Sequence, residues 1–134
     1  MCFGVIIDTI IIVMAKILIV EDDEVLRDVY REIFDRENFL VETAADGQEG
    51  VEKIVSFMPN VVLLDIIMPK MSGFDVLKAL KDNPLFKNIR IIVLTNVQLD
   101  SQDLVKSWGA SYVFLKTDIT PGQIVEKVKD VLKT

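Results

Sequence analysis

Histidine is absent from this 134-residue sequence, and cysteine occurs once, as Cys2. Without an imidazole, Ser-His-Asp and Cys-His nucleophilic catalysis are excluded, and so is any His-ligated metal. A single thiol excludes an internal disulfide and argues against a thiolate metal site. A bound metal would therefore sit among oxygen donors, which suits a hard cation such as Mg²⁺. Scarce cysteine fits a reducing, cytoplasmic setting. Basic charge is also in deficit, since 15 Lys and Arg against 21 Asp and Glu leave a formal net charge of −6. An acidic chain repels phosphate backbones, so nucleic acid is not an expected partner. The glycine motifs that cradle nucleotide phosphates, G-x-x-x-x-G-K-[ST] and G-x-G-x-x-G, are missing as well.

What is present describes a globular domain. Hydrophobic residues make up 51% of the chain and charged residues 27%, with no repeats, low-complexity tracts or linker-like stretches. Residues 1–13 form an apolar N-terminal extension, in which "CFGVIIDTIIIVM" precedes a second start-like sequence, Met14-Ala15-Lys16. A membrane-spanning helix needs about 20 apolar residues, and Asp8 and Lys16 interrupt this run. Its Ile, Val and Thr content favours an extended strand. The extension reads as an extra strand or tail, a weak membrane contact, or an upstream start read into the protein. The first and third readings are preferred, and no membrane partner is expected.

From residue 14 to 134, short apolar runs alternate with segments of helical period. The runs are "KILIV" (16–20), "FLVET" (39–43), "VVLL" (61–64), "RIIVL" (90–94) and "YVFL" (112–115). Continuous β-branched runs of this length predict strands buried on both faces, as in a parallel sheet. Amphipathic helices are predicted over 24–36 and 46–58, from Ser72 onward, over about 100–108, and from Thr120 onward. Five β-α units with right-handed crossovers fold into an open, doubly wound α/β sandwich with helices on both faces.

Ligands of such sheets bind beyond the carboxyl ends of the strands. The first run ends in Glu21-Asp22-Asp23-Glu24, the third in Asp65, the fourth in Thr95 and the fifth in Lys116. Each has a structural reading, because an acid after a strand often caps the next helix and Thr95 or Lys116 can be an ordinary turn residue. Asp65 is harder to read that way, since Pro69 delays the next helix and Ser72 already caps it. Clustered carboxylates repel one another and raise each other's pKa values, which a divalent cation relieves. With Mg²⁺ present, Asp65 can act as a nucleophile toward phosphorus and form an acyl phosphate. Lys116 and Thr95 would then meet the phosphoryl oxygens.

"ILIVEDDEVLR", "LLDIIMPKMSGFDVL", "IIVLT" and "GASYVFLK" resemble the four signature blocks of bacterial response-regulator receiver domains of the chemotaxis-regulator type. The resemblance covers roughly residues 14–134, and its D-x-x-M-P-x-M-x-G block is highly specific. It implies a flavodoxin-like fold with strand order 2-1-3-4-5, and Asp65 as phosphoacceptor. It also implies Mg²⁺ held by Asp22, Glu21 through water, Asp65 and the backbone carbonyl of Ile67. Thr95 and Lys116 would bind and sense the phosphoryl group. The phosphodonor would be a phosphohistidine on a sensor histidine kinase or histidine phosphotransfer protein. Three positions depart from the family pattern. Val113 stands where a switching aromatic is usual, with Tyr112 one residue earlier and so on the opposite strand face. Thr117 replaces the usual proline after the lysine, and Asn96 is bulkier than the customary residue after the threonine.

The expected function is a stand-alone switch that signals through protein contacts to an unidentified downstream target. Trp108, Tyr112 and Val113 are its candidate output surface, Trp108 having core as its plainer reading. Two other functions compete with it. A degenerate receiver would bind partners without phosphorylation. A haloacid-dehalogenase-type phosphatase would need a second acid two residues after the nucleophile, and that position is Ile67.

Overall fold

The computed structural model describes residues 3–7, 10–98, 103 and 107–133, with side chains described from residue 14 onward. Five parallel strands form the central sheet: β3 (Lys16–Val20), β4 (Leu40–Ala44), β5 (Val61–Asp65), β6 (Arg90–Thr95) and β7 (Tyr112–Leu115). Their order is β4-β3-β5-β6-β7, which is 2-1-3-4-5 counting only the parallel strands. β5 sits at the centre, with Leu63 opposite Ile19 on one side and Ile92 on the other. All five residues of β5 are buried.

Continuous apolar runs are explained by what covers the sheet. Alternate residues point to opposite faces, and both faces carry helices. Leu18, Val62, Leu64 and Val93 pack with Ile54 of α2 (Gly47–Phe57) and Val76 and Leu77 of α3 (Gly73–Asp82). Ile17, Ile19, Leu63 and Ile92 pack with Tyr30 and Phe34 of α1 (Glu24–Arg36) and Ile124 and Val128 of α4 (Pro121–Leu132). One sheet thus divides two cores.

The helices begin where their caps are. Asp23 accepts the Leu26 N–H and starts α1, and Asp46 accepts the Glu49 N–H and starts α2. Ser72 with Asp75 and Thr120 with Gln123 form full capping boxes, the second followed by Pro121 at the first helical position. α2 stops at Met58, whose φ of 49° is left-handed, one residue before Pro59. The helix expected over about 100–108 lies mostly outside the described residues. The apolar extension holds two strands, β1 (Phe3–Ile7) and β2 (Ile10–Met14), paired antiparallel in a sheet separate from the central one. Among the described residues no helix is long and apolar enough to cross a membrane.

Candidate functional site: a carboxylate cluster at the strand ends

Backbone pairing carries the polar residues one step beyond the strands. The Glu21 N–H donates to the Ala44 carbonyl at 3.0 Å, extending the β3–β4 ladder. The Lys116 N–H donates to the Thr95 carbonyl at 2.8 Å, extending β6–β7 in the same way. Asp65 is itself the last residue of β5, paired with Leu94. Acids from two adjacent strands and a lysine from the sheet's edge therefore meet at one rim.

Distances there are short. Lys116 Nζ lies 2.6 Å from Glu21 Oε1 and 3.3 Å from Asp65 Oδ2, with all three side chains largely buried. One carboxylate oxygen each from Glu21, Asp22 and Asp65 fall within 4.8 Å of one another. Glu21 Oε2 accepts the Asp23 N–H at 3.1 Å, and Asp65 Oδ1 accepts the Ile67 N–H at 3.2 Å. A cleft of about 440 Å³ opens over the cluster, lined further by Asn96, Val97 and Thr117.

Burial pushes the Asp65 carboxyl up to about 7, the Glu21 charge adds to the rise, and Lys116 only partly offsets it. For Lys116, burial alone would lower the pKa. The hydrogen bond to Glu21 and the Asp65 and Glu21 charges outweigh it, and the net shift is upward. The cluster is short of positive charge, and its donors are all oxygen. Three carboxylates within reach of one small ion, one of them solvent-exposed at Asp22, fit a hard divalent cation that keeps part of its water.

Two glycines set how closely the surrounding loops pack. A Cβ on Gly73 would collide with the Asp65 carbonyl oxygen and come within 2.6 Å of Ile66 Cα. A Cβ on Gly47 would run into the Met71 carbonyl of the β5–α3 loop. The loop after Asp65 is pressed against its neighbours on both sides, and Lys70 within it takes a left-handed φ of 63°.

The remaining site candidates fall as follows. Thr95 is buried, its Oγ1 accepting the Val97 N–H at 3.2 Å. It lines a second, smaller cleft of about 180 Å³ together with Val113 and Asp118, and Val97 borders both clefts. Ile67 is exposed on the rim of the larger one. Asp23 works as the α1 cap, and Glu24 is an exposed residue of its first turn. Trp108, Tyr112 and Val113 do not share one face. Trp108 and Val113 pack on the α2–α3 side, where Trp108 stands edge-on to Phe74 at 6.3 Å. Tyr112 packs on the α1–α4 side, stacked with Phe114 at 5.5 Å. The Lys116–Thr117 bond is trans. Sequence reasoning missed Arg27, whose guanidinium donates to the Glu21 carbonyl at 2.9 Å. Its signal is weak, because a helix residue reaching back past its own N-terminus follows no periodic spacing.

Comparison with known proteins agrees with this geometry. The family model for the response regulator receiver domain matches residues 17–129. Sporulation initiation phosphotransferase F of Bacillus subtilis is 34% identical over 119 residues, covering 88% of this chain and 90% of the relative. The alkaline phosphatase synthesis transcriptional regulatory protein PhoP of the same organism is 29% identical over 118 residues, but only 48% of its length is spanned. Among solved structures, the response regulator protein TrrA of Thermotoga maritima in complex with Mg²⁺-BeF superposes with a TM-score of 0.76 at 32% identity. That match covers 87% of this chain and 98% of the other. By sequence match, strand order and the layout of its acids, the chain belongs to the response regulator receiver domain family.

Proposed function

We propose that the chain is a phosphorylatable signalling switch working in the cytoplasm. In this reading Asp65 accepts a phosphoryl group from a phosphohistidine on a sensor histidine kinase or histidine phosphotransfer protein. The observation that carries it is the grouping of Glu21, Asp22 and Asp65 oxygens within 4.8 Å, with Lys116 on two of the three carboxylates. A carboxylate oxygen of Asp65 forms the new O–P bond while the P–N bond breaks, and the imidazole keeps the bonding pair. Lys116 is placed to follow the charge as it spreads over the phosphoryl oxygens, exchanging one anionic partner for another. The Thr95 hydroxyl, whose oxygen accepts the Val97 N–H, keeps its own O–H to donate to one of those oxygens.

Asp22, Asp65, the Ile67 carbonyl and Glu21 through water would hold Mg²⁺. When bound, the ion neutralises the clustered carboxylates and the incoming phosphate. The Mg²⁺-BeF complex of the similar Thermotoga protein supports a cation in this cleft. Ile67 and Val97 stand 55% and 44% exposed beside the cleft, apolar surface suited to a protein donor rather than a small hydrophilic ester. The chain is read as a phosphoacceptor and not as a phosphatase, because Ile67 occupies the position where a general acid would be needed. Output passes by protein contacts, for which the edge strand β7 is the candidate, with Val113 and Trp108 on one of its faces and Tyr112 on the other.

Acetyl phosphate with Mg²⁺ is expected to add one phosphoryl group, assigned to Asp65 by peptide mass spectrometry. Asp65→Asn should carry none, and chelation of the metal should suppress labelling of the wild type. Undiminished labelling of Asp65→Asn, or steady turnover of small phosphate esters, would sink the proposal.

A further inference from the structure

We infer that Arg27 is a positioning residue for the cation site. It holds the backbone of the acid pair in place from the first turns of α1, and this inference rests on the reading of Glu21, Asp22 and Asp65 as cation ligands. Glu21 and Asp22 lie past the end of β3, where only the Glu21 N–H still joins the sheet ladder. The next fixed points are Asp23, which caps α1 through its side chain, and the Asp23 carbonyl, which takes the Arg27 N–H at 2.9 Å. Between them the two carbonyls of the acid pair need donors. Helix side chains lean toward the helix N-terminus. Arg27 uses that lean to bring Nη1 to 2.9 Å from the Glu21 carbonyl and 3.5 Å from the Asp22 carbonyl. One half-buried guanidinium thus bridges both residues that deliver carboxylates from this loop.

The contact has two opposed consequences. A cation beside three carboxylates repels a divalent ion electrostatically and by itself would weaken metal binding. A donor fork on two successive carbonyls fixes the geometry of the ligands, and loss of such supporting partners typically costs 10–100-fold in metal affinity. The donated bonds run to neutral carbonyls, and the side chain is open enough to water for its long-range charge to be screened. Geometry therefore prevails, and removing the guanidinium loosens the site despite removing a like charge.

The sign of the effect is the test. Mg²⁺ affinity is measured by isothermal titration calorimetry on the full chain for wild type, Arg27→Lys, Arg27→Met and Asp65→Asn, with melting temperatures in EDTA alongside. Arg27→Met should bind Mg²⁺ roughly tenfold more weakly. Arg27→Lys keeps the charge and one reach of donor, and should fall between the two. A purely structural role would lower the melting temperature in EDTA and leave the affinity unchanged, which overturns the inference. So does an affinity equal to or tighter than wild type in either variant. If Arg27→Met does not fold, Arg27→Lys decides alone, and wild-type affinity in it is the overturning result. Absence of Asp65-dependent binding in the wild type would instead remove the cation reading itself.

Discussion

The two ends of the central sheet handle polar groups in opposite ways. At the amino end, Asn60 clips three strands together. Its Oδ1 accepts the Lys16 N–H at 2.8 Å, its N–H donates to the Lys16 carbonyl at 2.9 Å, and its carbonyl accepts the Arg90 N–H at 3.0 Å. Lys16 Nζ donates to the Phe57 carbonyl at 3.1 Å. These groups are half-buried or exposed and serve the fold alone. At the carboxyl end stand Glu21, Asp65 and Thr95, which are the buried polar or charged residues among those described. Burying two carboxylates against one lysine costs desolvation that the ion pairs only partly return. The comparison separates polar residues that build the sheet from polar residues the sheet was built to hold.

The largest contrast is expected from the same substitution at both ends. Lys116→Met leaves Glu21 and Asp65 buried without their ammonium partner. Breaking a buried pair in this way should cost metal-free protein about 3–5 kcal/mol at neutral pH. Because Lys116 competes with a cation for the same oxygens, Mg²⁺ should bind this variant more tightly and restore much of the loss. Lys16→Met removes a hydrogen bond to a neutral carbonyl and a cation–π contact with the Phe57 ring, and should cost about 1–2 kcal/mol, with Mg²⁺ binding unchanged. Chemical denaturation with and without Mg²⁺ measures all four values. Equal losses at the two ends would erase the distinction.

Much of this was legible in the sequence. The five runs are continuous because both sheet faces are covered, and each site residue follows a run directly, so the doubly wound fold names the rim they share. Caps at Asp46, Ser72 and Thr120 were legible and placed three helix starts within a residue, whereas which acid of 22–24 caps α1 is open in the sequence, and the structure gives Asp23. The illegible parts depend on direction instead of order. Strand parity separates Tyr112 from Val113. It does not reveal that Val113 shares a cleft with Thr95, or that Trp108 turns onto Phe74. The backward reach of Arg27 and the approach of Met71 to Gly47 are tertiary facts with no spacing to announce them. In residues 1–13, β-branched composition suggested extended backbone but could not say that two strands would pair with each other.

The next contrast is a dependence on pH that only the carboxyl end should show. Burial raises Asp65 to about 7 in the folded chain, against about 4 for an exposed carboxylate. The folded state therefore holds this proton more tightly than the unfolded chain does. Its contribution to stability is fully present below about pH 4 and is lost as pH rises through about 7. Between pH 5 and 8, metal-free wild type should lose about 2–3 kcal/mol relative to Asp65→Asn, which has no proton to release. Saturating Mg²⁺, which binds the ionised form, should flatten the difference. Parallel pH profiles for the two proteins in EDTA would mean that Asp65 ionises at its ordinary pKa.

The smallest effect tests the other end on its own terms. Asn60→Ala removes the acceptor of the Lys16 N–H and leaves the two backbone bonds of residue 60 in place. One partly buried amide then turns to water, a loss of about 1 kcal/mol. The site lies a strand's length away, about 17 Å for five residues at about 3.3 Å each. Intervening β3 and β5 residues are close-packed on both faces and transmit no charge. Mg²⁺ affinity and the yield from acetyl phosphate should therefore match wild type while the unfolding midpoint drops. If instead Mg²⁺ affinity fell with Asn60→Ala, strand register at the amino end would have to govern carboxylate spacing at the other. The two ends would then be one mechanical unit and not two separate uses of polar chemistry.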